Sequence, residues 1–212
     1  LAAGVGAGFA SGLLGVGGGF IMVPVSYWII LVVGIPSDIA IRIAFGTSLM
    51  VILPTAISGT WRHNRKKAVH WKTALVLGAC ALAGALAGAT LAAHLPEKIL
   101  KVGFGGLVLA VALWMGLGIM PKLRRGDEEP RENFWLVAAC GFPIGMVSGL
   151  TGLGGGALIV PMLVLALNFP IHIAIGTSVA SIILASLGGI VGYIVNGLEV
   201  PGLLPYSIGY VN

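Results

Sequence analysis

The chain has 212 residues, of which 58% are hydrophobic and 9% are charged. A soluble domain of this length does not need so much apolar surface, so the composition indicates that the lipid bilayer is the solvent. The net charge of +5 comes from two short basic loops rather than from a continuous basic face, and this distribution argues against nucleic-acid binding.

The apolar stretches form two sets, which are separated by a basic segment. The first set lies at about 1–14, 19–34, 43–61, 73–94 and 98–120, and the second set lies at about 134–150, 156–168, 173–195 and from 203 onward. Stretches of about 20 residues span the hydrocarbon core, whereas stretches of about 10–14 residues are typical of re-entrant or broken helices. We therefore expect an all-α, polytopic membrane protein.

Small residues within one of the long stretches predict a packing face. Gly78, Gly84 and Gly88 are interleaved with alanines. In membrane helices such residues let two backbones approach closely, so we expect these glycines to contact a neighbouring helix and not a ligand.

A glycine-rich sequence of fourteen residues occurs twice, 137 positions apart. It reads SGLLGVGGGFIMVP at 11–24 and SGLTGLGGGALIVP at 148–161, with nine identical positions. Duplication on this scale predicts a transporter made of two related halves, with its substrate site where they meet. As one continuous helix, 134–168 would be about 50 Å long, which is too long for one crossing. We therefore expect the glycines to break it into a hairpin.

The basic residues predict how the two halves are oriented. Five lie in the loop at 62–72 and four more lie within 121–132, so we expect both loops on the cytoplasmic side. The second-half counterpart of 62–72, at about 192–202, contains no Lys or Arg. This asymmetry favours two inverted-topology repeats, each of which opens with a glycine-rich broken or re-entrant helical hairpin.

The same pattern divides the chain into segments. We expect a first repeat at 1–120, a cytoplasmic linker at 121–133 and a second repeat at 134–212. The crossings at 73–94 and 98–120 have no complete counterparts in the second half. The sequence stops where the first counterpart should begin, so we expect the second repeat to lack its last two helices.

Two motifs recur in the same order in both halves. The first is G-x-x-S-G-x-x-G-x-G-G-G followed by V-P, at 8–24 and 145–161, and the second is A-x-G-T-S, at 44–48 and 174–178. This pattern resembles the sulfite exporter family typified by TauE and SafE, also called the 4-toluene sulfonate uptake permease family. The resemblance implies a carrier in the inner membrane of a prokaryote that moves sulfur-containing or related organic anions, often outward.

The glycines of both segments are the main candidates for contact with such an anion. A helix that starts inside the membrane presents unpaired backbone N–H groups and the positive end of its dipole, and anions bind readily there. Because glycine has no Cβ, a sulfite or sulfonate oxygen could come close to the backbone. The alternative is a tight helix crossing or a hinge that needs glycine. The candidate residues are Gly17, Gly18, Gly19, Gly154, Gly155 and Gly156.

Adjacent hydroxyl residues follow in each half, as Thr47 with Ser48 and Thr177 with Ser178. These side chains could donate hydrogen bonds to oxyanion oxygens. They could equally bond back to a carbonyl one turn earlier, as Ser and Thr in membrane helices commonly do. Both interpretations stay open at this point.

Four further residues are accessory candidates. Ser11 and Ser148 recur within the glycine segments. Arg42 lies near the core of a helix, where ionisable groups are usually functional, but Asp38 is four residues earlier and could form a helical ion pair with it. His172 is the nearest second-half counterpart of Arg42 and could respond to protons, although a position at the membrane interface also fits it.

We therefore expect a secondary transporter that exports small sulfur oxyanions such as sulfite or organosulfonates, with no cofactor and no metal site. One alternative is a thiosulfate-type permease that passes its substrate between cysteines, which would require Cys80 or Cys140 to line the path. Another is a membrane scaffold or sensor without transport activity. An enzyme is not expected, because Ser11 duplicates Ser148 while no histidine is duplicated with them, and a single nucleophile needs one positioned base.

Overall fold

The structure, a computed structural model, describes residues 18–116, 134–198 and 207–211. These residues form seven helices: α1 (Gly19–Val32), α2 (Ser37–Arg65), α3 (Trp71–His94), α4 (Glu97–Gly116), α5 (Phe134–Thr151), α6 (Gly156–Leu165) and α7 (Ile171–Gly197). Within the described ranges, β-structure is limited to one isolated bridge between Ile208 and Val211. The expected all-α fold class is confirmed.

Four of the described helices, α2, α3, α5 and α7, are long and apolar enough to cross a membrane. The apolar helices α1 and α6 have only 14 and 10 residues. A crossing needs about 20 residues, so these two helices reach only part of the way. Side chains such as Trp28, Val102 and Trp135 are largely exposed, as expected of a surface that faces lipid. The crossing expected at 98–120 extends past the described residues and stays a prediction.

A tight turn of glycines separates α5 from α6. Gly152, Gly154 and Gly155 have φ angles of 68°, 77° and 77°. This left-handed backbone is favourable for glycine and strained for other residues, so the glycines determine where the helix ends. Gly18 has φ 76° directly before α1, at the position that matches Gly155 in the repeat. The predicted break within 134–168 is confirmed.

Small residues bring α3 and α5 into close parallel contact. Gly141, Gly145 and Gly149 form a stripe on α5, and a Cβ added at the last two would overlap the backbone carbonyls of Ala81 and Ala85 on α3. The residue numbers on both helices rise together along this contact, so the helices run in the same direction. Backbones in this proximity gain van der Waals contact, which stabilises helix pairs in lipid.

The helix α3 contributes glycines of its own to two interfaces. A Cβ at Gly84 would overlap the carbonyl of Phe142, and a Cβ at Gly88 would overlap that of Met146, both on α5. Gly78 faces α7 instead, where an added Cβ would lie 2.8 Å from a methyl carbon of the Leu184 side chain. The packing face predicted from these three glycines is confirmed.

The equivalent long helices α2 and α7 pack against each other in opposite directions. A Cβ added at Gly46, in the first half of α2, would lie 3.2 Å from the Cβ of Tyr193, near the end of α7. A Cβ added at Gly176, near the start of α7, would lie 3.2 Å from the Cβ of His63, near the end of α2. When the A-x-G-T-S motifs are aligned, Gly46 matches Gly176 and His63 matches Tyr193. Such reciprocal contacts are typical of a twofold interface, and they support the prediction of inverted repeats.

The connection that follows α7 is longer than the one that follows α2. The N–H of Ala68 donates to His63 O at 3.0 Å, and the N–H of Tyr210 donates to the equivalent carbonyl, Tyr193 O, at 3.2 Å. Tyr210, and not Leu198, therefore takes the place of Ala68. The counterpart of the 62–72 loop extends to about residue 210, beyond the 192–202 expected from the sequence, and the longer segment still contains no Lys or Arg.

The close contact of α3 and α5 predicts a large effect of Gly145→Leu. The new side chain would meet the backbone of Ala81, which cannot move aside as a flexible side chain can. Overpacking of this kind costs about 3 kcal/mol, so we expect a markedly lower unfolding temperature of the protein in detergent micelles. The matched control is Gly105→Leu on α4, where an added Cβ has nothing within 4 Å. Equal unfolding temperatures for the two variants would contradict this packing.

The antiparallel contact of α2 and α7 predicts which engineered cysteines form a disulfide. A Cβ at Gly59 would lie 3.0 Å from Val179 Cγ1, so Gly59→Cys with Val179→Cys brings two thiols within bonding reach. The control pair, Gly59→Cys with Gly189→Cys, joins equivalent positions and would cross-link only in a parallel arrangement. Gly189 lies ten residues, about 15 Å, further along α7.

This cross-linking experiment is performed after Cys80 and Cys140 have been replaced by alanine. Mass spectrometry of proteolytic peptides then identifies the linked pair after mild oxidation. We expect the first pair to cross-link in high yield and the control pair to remain reduced. The reverse result would exclude the antiparallel packing.

Candidate functional site

The start of α1 lies against the glycine turn between α5 and α6. A Cβ added at Gly19, the first residue of α1, would lie 2.8 Å from Leu153 Cα and 3.0 Å from Gly152 O. The same Cβ would be 3.2 Å from the side chain of Ile52 on α2, so α2 flanks the contact. The structure thus brings the first-half candidate Gly19 directly onto the second-half turn. Gly17 lies outside the described residues.

The short helices α1 and α6 start at this contact and run toward opposite ends of the bundle. Each leads through a few residues into the start of its long helix, and the starts of α2 and α7 lie at opposite ends because these helices are antiparallel. In α6, the N–H groups of Leu158 and Ile159 both donate to Gly155 O at 3.0 Å. The amides of Gly156 and Ala157 come earlier and have no acceptor within the helix. Two positive helix ends therefore converge on one region.

The turn between α5 and α6 is deep within the helix bundle. All residues from 151 to 157 are buried. Gly149, just before the turn, packs on Ala85, and α3 continues for nine residues beyond Ala85, about 13 Å. Irregular backbone at membrane depth is stable only where protein or a polar cavity surrounds it, and this turn meets that condition.

The hydroxyl of Ser48 joins the two halves at the turn. Its Oγ donates to Gly152 O at 2.5 Å and also lies 2.9 Å from Phe45 O, one turn earlier on α2. Ser48 is completely buried. Thr47, the residue before it, is half-buried. The bond to Phe45 O is the back-bond to a preceding carbonyl that the sequence left open, whereas the bond to the other half was not anticipated.

The second hydroxyl pair also forms hydrogen bonds within the protein. Ser178 Oγ donates to Ile175 O at 2.9 Å, which is the bond to a preceding carbonyl that we left open from the sequence. Thr177 Oγ1 accepts a hydrogen bond from the backbone N–H of His70 at 3.0 Å. By the repeat, the counterpart of Gly152 for Ser178 is Gly15, which lies outside the described residues.

Ser148 has a buried hydroxyl that lacks a hydrogen-bond partner. Its exposed fraction is 1%, and its Cβ lies 3.4 Å from the position of a Cβ at Gly155, the residue that precedes α6. Other hydroxyls of these helices bond to a carbonyl one turn earlier, as Thr90 and Thr151 do. A buried unpaired hydroxyl is costly, and this one belongs to a residue that packs beside the N-terminus of α6. Its repeat equivalent, Ser11, is outside the described residues.

Arg42 and His172 lie away from the glycine turns. In place of the pair expected with Asp38, the Arg42 Nη2 atom donates to Leu95 O at 3.2 Å, in the connection between α3 and α4. The guanidinium carbon is also 5.9 Å from the centre of the Tyr210 ring. His172 is exposed at the start of α7. These positions favour a structural role for Arg42 and an interfacial one for His172.

Sequence reasoning missed Tyr193. This residue is completely buried in α7, and its hydroxyl donates to Gly149 O at 2.8 Å, directly before the glycine turn. The available signal was the repeat itself, because Tyr193 matches His63 in α2 and both halves therefore have a polar ring near the end of the same apolar helix. The tyrosine belongs to the surroundings of the turn.

Comparisons with known proteins agree with this architecture. The family model described as sulfite exporter TauE/SafE matches residues 1–211. The chain belongs to this family. The resemblance inferred from the repeated motifs is thereby confirmed over nearly the whole sequence.

Three relatives are named as probable membrane transporter proteins. One from Methanocaldococcus jannaschii is 34% identical over 206 residues, covering 97% of this chain and 74% of the relative. One from Haemophilus influenzae is 30% identical, with 97% and 76% covered, and YunE of Bacillus subtilis is 30% identical, with 90% and 76% covered. No solved structure gives a significant match. The sulfite exporter family is one of membrane transporters and not of enzymes, and this chain is accordingly a multi-pass membrane transporter.

The positions of the cysteines predict that transport does not depend on thiols. Both Cys80 and Cys140 are half-buried, and the Cβ of Cys80 lies 2.9 Å from the position of a Cβ at Gly141, in the contact between α3 and α5. We expect the double variant Cys80→Ala with Cys140→Ala to retain anion flux within about twofold of the wild type, measured in vesicles. A complete loss of thiosulfate flux with normal folding would favour the cysteine-dependent permease instead.

Proposed function

We propose that this chain is a secondary transporter that exports small sulfur oxyanions, such as sulfite or organosulfonates, across the cytoplasmic membrane of a prokaryote. The observation that carries the proposal is the meeting of the α1 and α6 N-termini beside the unpaired hydroxyl of Ser148. Membership of the sulfite exporter family supports the same substrate class.

The chemistry of the turn suits an oxyanion without a buried base. The amides at the start of α1 and α6 would donate to the substrate oxygens, and the helix dipoles would favour its negative charge. Ser148, whose Cβ lies beside Gly155, would add a hydroxyl donor. The N-cap glycines, Gly18 and Gly155, have no Cβ to block the approach of the anion. No Lys or Arg occurs between 134 and 212, so backbone and hydroxyl groups must supply the contacts in this half.

The electrostatics of a bacterial membrane favour outward movement. An anion that crosses from the negative interior to the exterior gains about 2.3 kcal/mol per elementary charge for each 100 mV. The basic loop at 62–72 would raise the local concentration of anions at the cytoplasmic entrance. The α2–α7 contact then provides a twofold interface at which one unit could rock against the other around a fixed site.

Reconstituted vesicles provide the direct test. We expect purified protein in liposomes to conduct labelled sulfite, and small organosulfonates to compete, when a potential is applied that drives anions outward. The Ser148→Ala variant is expected to bind sulfite about tenfold more weakly, because one hydrogen bond to a charged ligand is lost. Its unfolding temperature without ligand should equal or exceed that of the wild type, since the substitution removes a buried hydroxyl that has no partner in the protein.

The matched control for this experiment is Thr60→Ala. Thr60 is also buried and its hydroxyl is also unpaired, but it lies twelve residues from Ser48 along α2, about 18 Å. We expect this variant to bind and transport sulfite as the wild type does. Equal sulfite affinity of the Ser148→Ala variant and the control would remove Ser148 from the site, and an absence of anion flux in the wild type would overturn the proposed function.

A further inference from the structure

At the turn of a helical hairpin inside a membrane, the ends of two helices with opposite partial charges lie close together. At the turn between α5 and α6, the negative C-terminal end of α5 meets the positive N-terminal end of α6. Unpaired carbonyl oxygens at a broken helix coordinate cations such as Na⁺ in other transporters, whereas N–H groups bind anions. The charge preference of such a turn therefore depends on which of the two sets of groups is already satisfied by the protein.

In this protein, donors from two other helices occupy the carbonyls at the end of α5. Tyr193 of α7 donates its hydroxyl to Gly149 O at 2.8 Å, and Ser48 of α2 donates to Gly152 O at 2.5 Å. The carbonyl of Ser148 accepts the N–H of Gly152 at 2.9 Å. All three acceptors lie within one turn of the helix end, so much of the negative surface of α5 is already paired.

The hydrogen-bond donors at the same turn, unlike these carbonyls, are not paired with groups of the other helices. The amides of Gly156 and Ala157 precede the first intrahelical bonds of α6. Ser148 is 1% exposed, its hydroxyl has no partner, and its Cβ lies 3.4 Å from the position of a Cβ at Gly155. This unpaired buried hydroxyl is an observation separate from the helix end. A hydroxyl can donate or accept, and beside the amides of α6 an acceptor-rich ligand would use it as a donor.

We infer that Ser48 and Tyr193 determine the charge selectivity of the glycine turn by occupying the carbonyl oxygens of Gly152 and Gly149. The two hydroxyls make the turn a site for an anion and exclude a cation. This role deepens the proposed function and rests on it for the identity of the anion. Neither residue needs to touch the substrate, so both are specificity-determining residues that act through the backbone of the turn.

The inference predicts how binding changes when the hydroxyls are removed. We expect Ser48→Ala and Tyr193→Phe each to raise the sulfite concentration for half-maximal thermal stabilisation about tenfold, because a buried carbonyl is left facing the site. Na⁺ should in addition raise the unfolding temperature of the double variant but not that of the wild type. The Na⁺ is supplied as gluconate, because gluconate is a bulky anion. Thermal unfolding of the purified protein in detergent measures both responses.

Three matched variants separate selectivity from ordinary structural support. Ser181→Ala removes a hydroxyl that reaches the Ala74 carbonyl on α3 at 3.2 Å, away from the turn. Tyr210→Phe removes the hydroxyl of another buried tyrosine. Both variants should keep the sulfite response of the wild type. Ser48→Thr retains a donor at the same position and should restore most of the affinity that Ser48→Ala loses.

The outcomes distinguish this inference from the proposed function. If the wild type transports sulfite and the Ser48 and Tyr193 variants bind it within twofold of wild type without a Na⁺ response, the inference is wrong and the proposed function stands. If the wild type shows no sulfite response but the double variant gains one to Na⁺, the carbonyl-capping role stands and the substrate assignment is wrong. If the variants unfold at lower temperatures but respond to sulfite and Na⁺ as the wild type does, both hydroxyls have only a structural role and the inference is wrong.

Discussion

The contact between two glycine backbones is the constraint on which the rest of the structure depends. Gly19 lies so close to Leu153 and Gly152 that a methyl group in place of its hydrogen would force the start of α1 away from the α5–α6 turn. That proximity allows two helix N-termini to share one region, and it places the Gly152 carbonyl within reach of Ser48. In a soluble helix these glycines would cost stability, whereas in lipid they permit the packing that replaces hydrophobic burial.

Much of the fold could be predicted because its causes are local in the sequence. The helix break before α6 follows from glycines that accept positive φ, and the face formed by Gly84 and Gly88 follows from their four-residue spacing. The connection after α7 could not be predicted in the same way. Apart from Glu199, its residues are uncharged, and they show no periodicity that would reveal their number. The Tyr210–Tyr193 hydrogen bond establishes the correspondence with the first half.

The candidate site was less predictable, because the fate of a hydroxyl depends on distant backbone. The sequence left Ser48 with two interpretations. The structure shows the back-bond to Phe45 O, and tertiary packing adds a second acceptor, the Gly152 carbonyl. Arg42 likewise had an obvious partner at four-residue spacing, but the α3–α4 connection offers the Leu95 carbonyl instead. At Ser148 the unexpected finding is the lack of a partner: its buried hydroxyl forms no hydrogen bond in the protein, which the sequence could not indicate. Spacing rules describe an isolated helix, and all three positions are decided between helices.

Packing also decides which parts of the chain could move as units. The sequence predicts that α3 belongs to a first repeat and α5 and α7 to a second. The glycine face of α3 nevertheless packs along α5, and α3 also contacts α7. Separating residues 1–120 from 134–212 as rigid bodies would break the contacts of Gly84 and Gly88 with the α5 backbone, which are among the closest in the described structure. A rocking motion of the kind proposed would therefore keep α3 with α5 and α7, and move this group against α1 and α2. The boundary between the two groups is then the α2–α7 interface and the glycine contact, where the substrate is proposed to bind.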